Sequence, residues 1–160
     1  MAVDMFLELD KIKGESQDKK YKGDIDVLSW SWGMSQQSSS HVASGGGVGK
    51  ANIQDISITK YVDKSSVTLM EYIATGDHVD KAKLVVRKAG GKPLEYIVIE
   101  LKKVFITSYS TGGSGGEDLL TDSFTLNFAE FKVTYVPQKE DGTGAAKIDF
   151  GFNIPQNVKK

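Results

Sequence analysis

The chain has 160 residues, a formal net charge of −1 and no cysteine. These figures exclude a disulfide scaffold, a thiolate metal site and a cysteine nucleophile, and they leave no bulk cationic field to attract nucleic acid or an anionic membrane. No apolar run approaches the ~18 residues of a membrane span, and 17 glycines against three prolines point to a β protein with demanding loops.

Val3, Met5, Leu7 and Leu9 alternate with Asp4 and Glu8, the period of a strand. The same acids interrupt any apolar stretch, and no Lys or Arg precedes it, so the segment is not a secretory signal. By itself this reads as a cytoplasmic protein, with export by a machine that ignores N-terminal signals left open. From Ile25 to Met34 the large residues Leu28, Trp30, Trp32 and Met34 alternate with Ser29, Ser31 and Gly33. That predicts a strand with one apolar face and one small polar face. From Ala51 to Val62, Ile53 lies on one parity and Ile56 and Ile58 on the other, which predicts a bulge near Asp55.

Residues 64–75 change period. Val67, Met70, Ile73 and Ala74 fall on one helical face. Asp63, Ser65 or Ser66 would cap the start, and Gly76 would end the helix in the left-handed conformation. The expectation is a helix packed on the outside of the sheet, with Glu71 or Tyr72 partly exposed to a partner. Residues 82–88 and 95–105 flank Ala89-Gly90-Gly91-Lys92-Pro93, a hairpin signal. From Ser123 to Val136 the apolar parity switches between Phe128 and Phe131, which predicts a bulge or sharp coil near Ala129. Residues 140–144 form a turn, and Ile148, Phe150, Phe152 and Ile154 alternate in a last strand. The fold class is therefore mainly β: a small antiparallel β-barrel or sandwich with one flanking α-helix and long Gly-rich loops.

Two Gly-rich segments stand apart. The first contains Gly45, Gly46, Gly47 and Gly49 within a polar stretch over residues 35–50, longer than the ~12–15 residues beyond which loops are uncommon unless functional. The second contains Gly112, Gly113, Gly115 and Gly116. The first is not a phosphate loop. Ser44 stands where the motif needs Gly, Ala51 where it needs a hydroxyl, and residues 51–54 read as a strand rather than a helix. Asp77, His78 and Asp80 read as a solvated turn rather than a metal site. His41 and His78 have no Gly-x-Ser-x-Gly elbow to serve, and Glu117 with Asp118 reads as a loop-end charge pair. Trp30, Trp32, Phe124 and Phe128 sit on core-like parities rather than on a basic stacking platform. Elimination leaves a structural or interaction protein, with no catalytic residue, metal or cofactor assigned.

Seven blocks in chain order sharpen this: residues 2–6, Val27-Leu28-Ser29-Trp30-Ser31-Trp32-Gly33-Met34, residues 59–65, residues 87–91, Ser110-Thr111-Gly112-Gly113-Ser114-Gly115-Gly116-Glu117-Asp118, residues 125–129 and residues 153–157. Together they resemble the Hcp (haemolysin-coregulated protein) family over essentially the whole chain. The resemblance implies one β-barrel domain over residues 1–160. It implies a subunit of the type VI secretion inner tube, a homo-hexamer whose rings stack, capped by a VgrG-type spike and expelled by a contractile sheath. It implies cytoplasmic folding, then secretion without a signal peptide, with small effector proteins carried in the ring. The competing reading is a stand-alone exported binding module or a small hydrolytic effector. Pro155 departs from the family pattern, and the end at Lys160 fits the plain tube form without a fused toxin.

Under the tube reading, Gly45, Gly46, Gly47, Gly49, Gly112, Gly113, Gly115 and Gly116 are candidates for ring and stacking contacts, because glycine lets another backbone approach closely. The alternative for residues 111–117 is a plain loop between strands. Ser29 and Ser31 are candidates for the lumen and its cargo, the alternative being outer solvent or a neighbouring subunit.

Overall fold

The computed structural model describes residues 3–37 and 49–160. Among them the chain forms β1 (Val3–Leu9), β2 (Ile25–Asp26), β3 (Ser29–Ser31), β4 (Met34–Ser35), β5 (Asn52–Ile53), β6 (Ile56–Tyr61), α1 (Ser65–Thr75), β7 (His78–Lys88), β8 (Leu94–Thr111), β9 (Thr121–Tyr135), β10 (Ile148–Asn153) and β11 (Val158–Lys159). Among the described residues the fold is mainly β with one helix, and every strand pairing is antiparallel. Among the described residues no helix is long and apolar enough to cross a membrane.

A nine-stranded sheet runs β11-β10-β9-β8-β7-β1-β2, with β6 and β3 attached beside β9. The long strands β8 and β9 are shared by two halves. The first half of β9 pairs with β6 and the second half with β10. The two halves fold together like a sandwich, and one segment bridges their far ends. Val27 N donates to Met5 O of β1, while the next amide, Leu28 N, donates to Thr59 O of β6. The predicted strand over residues 25–34 is thus split among three partners. It buries Ile25 and Val27, half-buries Trp30 and Trp32, and leaves Leu28 and Met34 exposed. Asp55 is likewise no bulge: the parity changes there because β5 pairs with β4 and β6 with β3 and β9.

The core lies between the two halves. Leu7, Leu84 and Ile99 form one cross-strand row, and Leu9, Ala82, Leu101 and Phe131 the next. Phe131 packs edge-on to Trp32 at 5.0 Å and to Phe150 at 5.7 Å between ring centroids. Burial switches parity in β8 between Leu101 and Val104, and in β9 between Phe128 and Phe131. The register is unchanged across this point, Lys102 pairing with Glu130 and Val104 with Phe128. The two strands turn over together at Lys103, whose φ is 53°, so no residue is inserted at Ala129. The β8–β9 bulge lies instead between Ile106 and Ser108.

The predicted hairpin joins β7 to β8, and Gly90 takes a φ of 144° in its turn. Pro155 falls in a turn closed by Asn157 N donating to Ile154 O, a position where its fixed φ fits and no amide is needed.

α1 ends as predicted: Gly76 adopts φ 73° and its N–H returns to Tyr72 O at 3.0 Å. At its start Asp63 accepts the Ser65 N–H at 2.9 Å, and Ser66 Oγ accepts the Asp63 N–H at 3.1 Å. Its packing face is not the predicted one. Ser65, Ser66 and Leu69 are buried and Tyr72 is half-buried against the core, whereas Val67, Met70 and Ile73 are 71%, 43% and 37% exposed. Glu71 is exposed as expected. Beneath the buried face lies a polar network that includes Ser66.

Candidate functional site: a hydroxyl-bearing sheet face

Lys60 belongs to β6 on the face that buries Ile56 and Ile58, and is itself 0% exposed. A lone buried ammonium is prohibitively costly, so it must find acceptors. Its Nζ donates to Asp122 Oδ2 at 2.9 Å, Ser66 Oγ at 2.8 Å, Asp63 Oδ1 at 3.1 Å and Tyr61 O at 3.3 Å. Asp122 Oδ2 also accepts the Ser66 hydroxyl at 2.6 Å and the Tyr109 hydroxyl at 2.6 Å. Burial, and then the Asp122 hydrogen bond, push the Tyr109 phenol above its usual range. The network ties α1 to β6, β8 and β9.

On the reverse side of these strands, between Tyr61 of β6 and Phe105 of β8, two rows are small and hydroxylic. Ser31 pairs with Ser57, Ser57 with Thr125, and Thr125 with Ser108. The next row is Ser29, Thr59, Ser123 and Ser110. Ser29, Ser31, Ser57, Ser108 and Ser110 are exposed or partly so, and Thr59, Ser123 and Thr125 are half-buried. The hydroxyls bond laterally: Thr59 with Ser123 at 3.2 Å and Ser108 with Thr125 at 2.7 Å. The bulge after Ile106 adds Thr107, which meets Thr125 Oγ and donates to Asp55 Oδ2, both at 2.7 Å. Asn127 donates to the other Asp55 oxygen at 2.9 Å.

The sequence signal for this face was the Ser29–Ser31 alternation. The structure brings both residues onto it and extends it across β6, β9 and β8. Those additional residues were legible only as the polar halves of alternating strands, because register decides which polar residues become neighbours.

The outer face of the other half of the sheet is charged. Glu8, Lys83, Glu100 and Lys132 form a cross-strand row of alternating sign. Lys102 bridges to Glu130 at 3.3 Å. The hydroxyl face, among the described residues, carries no such lattice.

The second Gly-rich segment is the β8–β9 connection, exposed throughout residues 112–120. Gly112, Gly115 and Gly116 have open space where a Cβ would stand, and a Cβ at Gly113 would lie 2.5 Å from Leu120 Cδ2. Leu119 and Leu120 are 61% and 44% exposed, and Val62 N donates to Leu120 O at 2.9 Å. Gly49 N donates to Gln37 O at 2.9 Å. Gly45, Gly46, Gly47 and His41 lie outside the described residues. His78 Nε2 lies 3.5 Å from Asp80, and Asp77 accepts from Thr75. Among the described residues no group of three potential ligands gathers to hold a metal.

The family described as "Type VI secretion system effector, Hcp" matches residues 6–135. The Hcp1 protein of Pseudomonas aeruginosa is 55% identical over 161 residues, covering 99% of each chain. A solved structure described as a type six secretion system protein superposes with a TM-score of 0.93 at 30% identity, covering 99% of this chain and all of that one. Hcp1 from Salmonella typhimurium superposes with a TM-score of 0.82 at 35% identity, with both chains fully covered. The collinear motifs, the strand order and these matches agree, and the chain belongs to the Hcp family of type VI secretion proteins.

Proposed function

We propose that the chain is a structural, non-catalytic subunit of the type VI secretion inner tube. It forms homo-hexameric rings that stack, and it is expelled with a VgrG-type spike when a surrounding sheath contracts. It folds in the cytoplasm and leaves without a signal peptide, carrying small effector proteins. The observation that carries this reading is the hydroxyl face. A transport lumen needs short side chains that keep the bore open and hold passengers weakly, and serine and threonine hydroxyls both donate and accept. We assign Ser29 and Ser31, with Ser57, Ser108 and Thr125, to the lumen wall.

The apolar stripe Val67–Met70–Ile73 on α1 supports the assembly half of the reading. It meets a different surface on the next copy, a heterologous contact that closes into a ring when the rotation permits. Gly112, Gly113, Gly115 and Gly116, with Leu119 and Leu120, serve stacking between rings. Gly45, Gly46, Gly47 and Gly49 serve the same contact.

Light scattering of the purified protein tests the reading, with negative-stain imaging beside it. A hexamer mass with ring images is expected; a protomer mass at high concentration overturns it. A secretion assay in cells lacking the sheath checks the route: export that survives there overturns sheath-driven expulsion.

A further inference from the structure

α1 is docked against its own hydrophobic pattern. Its buried residues are Ser65, Ser66 and Leu69 with Tyr72 beside them, while Val67, Met70 and Ile73 face out. Successive residues step about 100° around a helix, so a roll of one step would carry Met70 to the place of Leu69 and turn the whole stripe inward. That setting would bury Val67, Met70 and Ile73 while drawing Leu69 and Tyr72 outward, so hydrophobic burial alone does not single out the observed rotation.

What opposes it is the network below. In the rolled setting Ser66 would leave Lys60 and Asp122, its partners at 2.8 Å and 2.6 Å. Buried ion pairs are poor stabilisers, and apolar replacement of both members is often neutral or favourable; their best attested use is to fix one arrangement among several. We infer that Lys60, Asp122 and Ser66 are positioning residues that set the rotation of α1 and hold Val67, Met70 and Ile73 outward. That the stripe is then covered by a second copy of the chain rests on the tube-subunit reading above.

The test is the double variant Lys60→Met/Asp122→Leu in the full chain, read by thermal unfolding, crystal structure and solution mass. Expected are a melting temperature no more than about 5 °C below wild type, roughly the shift of 1–2 kcal/mol in a chain of this size, α1 rolled with the stripe inside, and loss of the hexamer mass. Asp122→Glu keeps the ion pair and should keep both the native setting and the hexamer. A double variant whose stripe still faces outward overturns the inference. So does one that does not fold, since the network would then be needed for stability rather than for setting. If wild type itself has protomer mass, the tube reading falls, and the crystal structure of the double variant still decides this inference.

Discussion

Lys60 and Asp122 are register partners across the β6–β9 ladder, and their side chains meet at 2.9 Å with neither exposed to solvent. The row that begins Ile56–Leu126 and Ile58–Phe124 therefore ends in a charge pair instead of a third apolar pair. Lys60→Met alone removes the cation and leaves Asp122 buried without it. The expected loss is about 3–5 kcal/mol, the usual cost of breaking one side of a buried pair, and urea unfolding measures it. A loss below about 1 kcal/mol, the scale of an exposed pair, would show that water reaches Asp122 once Lys60 is gone.

Leu69 is the fully buried apolar side chain of α1. An 11-residue helix is marginal on its own in water, so this leucine and the polar network together hold it down. Leu69→Ala should cost about 2–5 kcal/mol and free α1 before the sheet unfolds. Hydrogen exchange of the amides over residues 65–75 reads this. Uniform destabilisation, with the α1 amides protected as well as those of the sheet, would refute the role.

These two cases show what the sequence could and could not say. Period-two patterning placed the long strands and the β7–β8 hairpin, and glycine chemistry placed the Gly76 stop, because each is a local preference. Helical periodicity also found α1, but it selected the wrong face. Val67, Met70 and Ile73 form the better apolar stripe, and nothing local to α1 reveals that Lys60 waits beneath Ser66. Likewise the parity switch near Ala129 was visible, but its cause sits on the partner strand at Lys103. Ser29 and Ser31 announced a small polar face in one strand. Its extension through Ser57, Thr125 and Ser108 depended on register, which is a property of pairs of strands.

The hydroxyl face yields a prediction about passengers. Ser31 is exposed on β3 and pairs with Ser57. Ser31→Trp places a bulky side chain on that face without entering the core, so under the proposed tube role folding and hexamer mass should stay unchanged. Recovery of co-purifying effector proteins should fall at least several-fold. A folded protein that no longer forms rings would place Ser31 in a subunit interface instead.

Gly14 is required by close approach. A Cβ there would stand 2.6 Å from Asp24 O and 2.7 Å from Ile25 Cα, both backbone atoms that cannot rotate away. Gly14 N also donates to Gly23 O at 2.9 Å. Gly14→Ala should push the 11–24 loop off the sheet at a cost of about 1–3 kcal/mol, and Tyr21 should lose its stacking on Phe6, now at 4.5 Å between centroids. The ring-proton chemical shifts of Tyr21 and the melting temperature report both effects. Wild-type stability with intact stacking would show that the strand shifts to accommodate the methyl group.

The same loop sets an acid response. Arg87 donates to both Asp18 oxygens, at 3.2 Å and 2.6 Å. That hydrogen bonding, with the Lys20 amide adding to it against a smaller effect of burial, holds the Asp18 carboxyl below its ordinary value. A carboxyl with a depressed native pKa contributes stability that is full above its unfolded value, about 3.9, and that is lost as pH falls through the lower native value. Asp24 and Asp26 work in the opposite sense. Burial is the main cause that raises both, with Glu8 adding to Asp24, so the native state binds their protons more tightly and gains stability as pH falls toward their raised values. Asp18→Asn should therefore lower the melting temperature at neutral pH and flatten its fall below roughly pH 4. Asp26→Asn should raise it at neutral pH, with the gain shrinking as the solution is acidified. A melting curve measured across pH for the three proteins separates these slopes, and parallel profiles for wild type and Asp18→Asn would remove the Arg87–Asp18 pair from the acid response.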